Sequence, residues 1–84
     1  MKQTVIYQTL SFLLISWSNG AAYSFEDLRN ASSVWVQGDD AAIFSQDLQD
    51  LEDANRTATT HVLLSKLWDT YSDAAQPVLQ LLAA

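Results

Sequence analysis

A chain of 84 residues, 49% of them hydrophobic and including three Trp, three Tyr and three Phe, is sized for one domain with one core and is too apolar to be disordered. Ten acidic residues against four basic ones give a net charge of −6, which argues against direct binding to a nucleic-acid backbone and favours a partner with a basic surface. The absence of cysteine excludes disulfides, thiolate metal sites and thiol nucleophiles, and denies a secreted form the staples that small secreted domains use.

The first segment, Thr4 to Ser18, has no Pro or Gly and runs into Asn19-Gly20, a natural helix C-cap pair, so a helix is expected. Thr4, Gln8, Ser11 and Ser18 form a mildly polar stripe, interrupted by Ile15, with Ile6, Leu10, Leu13, Leu14 and Trp17 turned away from it. The competing reading is a signal peptide, with Lys2, an apolar stretch through Trp17, and small residues Gly20 and Ala22 before Tyr23. Cleavage near Ala22 would leave a secreted chain of about 62 residues. Gln8 and Thr9 interrupt that apolar region, which favours a retained core helix and a cytoplasmic protein. The run is also shorter than the ~20 residues of a bilayer span, so no stable membrane span is expected.

Ser24 is placed as an N-cap, with Glu26 and Asp27 in the first turn of a short helix reaching Ala31. Ser33 to Gln37 is β-branched and aromatic and is expected to be extended, but one such piece cannot make a sheet alone. Gly38-Asp39-Asp40 then caps the clearest amphipathic helix, Ala41 to Ala54, with Ala41, Phe44, Leu48 and Leu51 on its apolar side. A polar connector, Asn55 to Thr60, leads to a helix from His61 to Ser72 striped by Leu64, Leu67, Trp68 and Tyr71. A break at Asp73 to Gln76 and Pro77 in a first turn predict a last short helix, Val78 to Ala83. The sum is a single all-α domain, a small bundle of four to five short helices. A faint echo relates Trp17-Ser-Asn-Gly20 and AAYSFEDL to Trp35-Val-Gln-Gly38 and AAIFSQDL, but the irregular spacing and alanine-rich composition point to chance.

No catalytic constellation is visible, and no cofactor is implied. His61 is the only histidine and has no second metal ligand or nucleophile at useful spacing. The stretch Asp39 to Asp53 holds six carboxylates and no base, without the order of a calcium loop. It is either a solvated helix face or a docking surface for a basic protein, with Asp39, Asp40, Asp47, Asp50 and Asp53 as its candidate contacts. Glu52 with Arg56, and Lys66 with Asp69, have the spacing of ordinary helix pairs.

Asn30 and Asn55 stand in N-x-S/T sequons, which matter only if the chain is secreted. The three tryptophans are expected in the core, except Trp35, whose place in a Val-Trp-Val link marks it as a binding hot spot or self-association surface. The expectation is a non-enzymatic protein that works by stoichiometric protein binding, of inhibitor or adaptor type, including mimicry of nucleic-acid charge. Its apolar stripes would also permit a homodimer. The alternative is a secreted small glycoprotein.

Overall fold

The computed structural model describes residues 2–77. Four antiparallel strands of six residues come first: β1 (Gln3–Gln8), β2 (Phe12–Trp17), β3 (Ala22–Asp27) and β4 (Ser32–Gln37). Two helices follow, α1 (Asp39–Ala54) and α2 (Thr60–Tyr71), then a 3-10 turn at Ser72–Ala74 and a two-residue strand β5 (Gln76–Pro77). The sheet order is β1-β2-β3-β4-β5, with the helices layered on one face. This mixed α and β architecture overturns the expected all-α bundle.

The reason lies in side-chain type. Of the fifteen residues from Thr4 to Ser18, eight are β-branched or aromatic, and these lose rotamer freedom in a helix and pack well on a pleated surface. The segment is not a helix but two strands, and Thr9 closes the turn between them by accepting the backbone N–H groups of Ser11 (3.2 Å) and Phe12 (3.0 Å) on its hydroxyl. Asn19-Gly20 is a hairpin loop and not a helix cap. Ser18, Asn19 and Gly20 all hold positive φ (53°, 59° and 93°), the twist-matched geometry that Asn-Gly supplies between strands. The expected helix to Ala31 is also absent, because Tyr23 and Phe25 alternate with Ser24 and Glu26 as β3. The expected extended piece, Ser33 to Gln37, is β4, with β3 and β5 as the partners that the sequence did not reveal.

Strand register sorts residues onto two faces. Leu14, Phe25 and Val34 form one row across β2, β3 and β4, with Tyr23 and Val36 in the next, and all face the helices. From above, α1 contributes Ala41, Phe44 and Leu48, and α2 contributes Leu63, Leu64 and Leu67. Phe25 stands at the centre, its ring centroid 5.7 Å from Phe12, 6.1 Å from Phe44 and 5.2 Å from Trp68.

Both helices obey the apolar periodicity of the sequence. Gly38 alone separates β4 from α1, and its φ of 60° with ψ of −132° is a conformation that only glycine holds without strain. Thr59 caps α2, its hydroxyl accepting the N–H of Val62 at 3.3 Å.

The echo between the two Trp-containing segments has no structural counterpart, since AAYSFEDL includes β3 whereas AAIFSQDL is part of α1. The expected helix Val78 to Ala83 lies outside the described residues. Among the described residues no helix is long and apolar enough to cross a membrane.

Candidate protein-binding surfaces

The acidic residues expected to form one docking surface divide into two sets. Asp47 faces α2 and accepts the Tyr71 hydroxyl at 2.5 Å, while Glu52 accepts the Tyr7 hydroxyl and ties α1 to β1. These carboxylates join secondary-structure elements. Asp39, Asp40, Asp50 and Asp53 remain exposed, and Asp50 takes a bond from Gln46 one turn earlier (2.9 Å). At 100° per residue, Asp39, Asp50 and Asp53 fall within an arc of about 60° on the side of α1 opposite its buried stripe. The only salt bridge among the described residues joins Arg29 to Asp27, so no cation covers this arc. The expected pairs Glu52 with Arg56 and Lys66 with Asp69 are not formed; the Lys66 ammonium instead donates to the Asn55 side-chain oxygen at 2.7 Å.

Trp35 is on the other side of the molecule. In β4 it is flanked by inward-facing Val34 and Val36, so it projects from the sheet face that carries no helix, and it is 47% exposed. Trp17 is on that face too, its indole N–H donating to Ser24 Oγ at 2.9 Å and its ring 5.9 Å from Trp35. Trp17 is therefore an outer-face residue and not a core anchor, unlike Trp68, which packs on Phe12 and Phe25. Beside Trp35 an apolar cleft of about 530 Å³ is lined by Ser18, Ala21, Ala22, Gln37 and Gly38. A smaller polar pocket of about 200 Å³ is bordered by Tyr7, Glu52, Asn55, Arg56 and Thr60.

The sequon asparagines are both engaged. Asn30 Nδ2 donates to Asp27 at 2.8 Å, and Asn55 Nδ2 donates to the Leu51 carbonyl at 2.9 Å. His61 sits in the first turn of α2 with its ring 5.8 Å from Phe12. Among the described residues no three His, Asp or Glu side chains converge to hold a metal ion. No protein-family model matches the chain, and no curated protein or solved structure matches it either.

Asp27 was expected in the first turn of a short helix and is instead the last residue of β3, 1% exposed, closing the β3–β4 loop. Its Oδ1 accepts the Arg29 backbone N–H (3.0 Å) and Nε–H (3.3 Å), and the Arg29 guanidinium lies over the Phe12 ring at 5.0 Å. Burial pushes the Asp27 carboxyl upward, but the bonds from Asn30 and Arg29 outweigh it and hold the pKa below its ordinary 3.8. The Tyr7 hydroxyl is pushed up to about 12, first by its bond to Glu52 and then by burial. Burial raises Tyr71 as well, aided by the bond to Asp47 and the charge of Asp40.

These shifts predict a stability profile with two declining limbs. The Asp27 contribution is present above the unfolded-state pKa and is lost as pH falls through the lower folded value. The Tyr7 contribution is complete below pH 10 and is lost as pH rises toward about 12. Urea unfolding across pH is expected to show both declines. Replacing Tyr7 and Tyr71 with Phe should flatten the alkaline one while leaving the acid one in place, and an unchanged alkaline slope would refute the assignment.

Proposed function

We propose that this is a non-enzymatic cytoplasmic protein that binds a basic protein partner stoichiometrically, as an inhibitor or adaptor, through the outward side of α1. The observation that carries the reading is the uncovered arc of Asp39, Asp50 and Asp53. Three carboxylates spread over about 21 Å of helix present a row of negative charge to which a basic groove is complementary. Mimicry of nucleic-acid phosphate is the special case in which that groove belongs to a DNA- or RNA-binding protein. The cytoplasmic form is favoured because β1 and β2 supply the buried Phe12 and Leu14, so the working domain needs the residues that a signal peptidase would remove.

The test is affinity capture from the native host with the wild type and with an Asp39→Lys/Asp50→Lys/Asp53→Lys variant. Asp47 is left intact because it holds Tyr71. The wild type is expected to retain a basic protein that elutes as salt approaches ~1 M, where the screening length falls to about 3 Å. The variant should retain less than about a tenth as much at physiological salt, with unchanged helical circular dichroism. Equal capture by the variant would overturn the acidic-surface reading.

A further inference from the structure

We propose that the helix-free face of the sheet is the interface of a two-fold homodimer, in which two copies stack face to face with their strands running in opposite directions. The first argument is charge. The outward positions of β2, β3 and β4 include Leu13, Ile15, Trp17, Ser24 and Trp35, and Glu26 is the one ionisable side chain among them. The chain as a whole carries −6, so this face is nearly neutral on a strongly acidic molecule. A basic partner finds no complement here, whereas a second copy offers a surface of the same chemistry. Stacking also keeps like charges apart. With sheets ~10 Å apart and a helical layer ~10 Å outside each, the two acidic helix layers are separated by about 30 Å, well beyond the Debye length of ~8 Å at physiological salt.

The second argument is the placement of an apolar knob and an apolar cleft at opposite ends of the sheet. Leu10, in the β1–β2 turn, is 99% exposed, so its side chain is almost wholly open to solvent. The cleft beside Trp35 is at the other end, between the loop that leads into β3 and the finish of β4. A two-fold axis lying between the faces and perpendicular to the strands brings the Leu10 end of each copy over the cleft end of the other. The contact occurs twice, as an isologous interface requires.

The edges favour the face over lateral growth. The free edge, β1, carries a register irregularity between Val5 and Tyr7, which breaks the ladder that an added strand would need, and β5 pairs with the start of β4 on the other side. Four strands ~4.8 Å apart and ~20 Å long present a flat area of roughly 400 Å² per copy. This is below the ~800 Å² per partner of standard interfaces, so the dimer is weak and concentration-dependent.

The proposal is independent of the acidic-surface reading, and sedimentation equilibrium of the purified full chain from about 1 to 500 μM tests it without any other protein. The expected mass rises from the monomer value of 9.3 kDa toward twice that. Trp35→Glu should remain monomeric across the range, and Leu10→Ser should raise the dissociation constant at least about fivefold. Since Leu10 is 99% exposed and outside the buried core, the second variant decides the matter even if the first is unstable. A wild type that stays at monomer mass at 500 μM, or a dimer that Leu10→Ser leaves unweakened, would overturn the proposal.

Discussion

Truncating the chain to Tyr23–Ala84 should abolish folding. The deletion removes β1 and β2, and with them Phe12 and Leu14, both fully buried, together with the Tyr7 hydroxyl that anchors Glu52 of α1. It leaves β3 as an unpaired edge and opens the apolar underside of α2 to water. Two fully buried side chains are worth about 3–6 kcal/mol in transfer free energy alone, and the whole stability of an 84-residue domain is about 4–13 kcal/mol. The purified fragment is expected to lack dispersed amide resonances and cooperative thermal unfolding. A cooperative transition in the fragment would mean that the first two strands are dispensable, and would revive a secreted 62-residue form.

Phe25→Ala is expected to be the most damaging of the simple point substitutions. Its ring joins Phe12, Phe44 and Trp68, so it links the sheet to both helices, and truncation leaves a cavity that none of the three can close without moving the others. The expected loss is about 3–5 kcal/mol, enough to bring a domain of this size close to unfolding at room temperature. Chemical denaturation of the variant beside the wild type measures it. Trp35→Ala, on the uncovered face, serves as the control and should cost far less.

The helices were legible because each exposes one side and buries the other. Ala41, Phe44, Leu48 and Leu51 could be read from spacing alone, and the same stripe is observed. The strands were not, for a specific reason. β2 reads Phe-Leu-Leu-Ile-Ser-Trp, apolar on both sides, because its outer face carries Leu13, Ile15 and Trp17 and has no polar alternation. A strand without alternation is indistinguishable by period from a piece of buried helix, and residue type has to decide. The β-branched and aromatic content of Thr4 to Ser18, with Asn-Gly following, carried that information.

The candidate contacts were legible in part. Trp35 could be singled out from its Val-Trp-Val setting, but Trp17 and Leu10 become its companions only once the strands are registered. Nor does composition tell which of six carboxylates are already bound to tyrosines from distant parts of the chain, as Asp47 is to Tyr71 and Glu52 to Tyr7. Long-range hydrogen bonds of this kind leave no local signal.

Strand order equals chain order from β1 to β5, and this shapes how the molecule assembles as well as how it looks. β2, β3 and β4 each pair with a strand already made, across a loop of three or four residues, so the entropy of closure is small at each of these steps and the four-stranded meander can zip hairpin by hairpin, whereas β5 joins β4 only after both helices. The helical pair comes later in the chain and covers an aromatic surface that is wet until then. During synthesis the first 37 residues leave the ribosome before any of α1, and at that stage Phe12, Phe25 and Val34 face solvent. The nascent sheet then has two sticky sides, and completion of α1 and α2 reduces them to one.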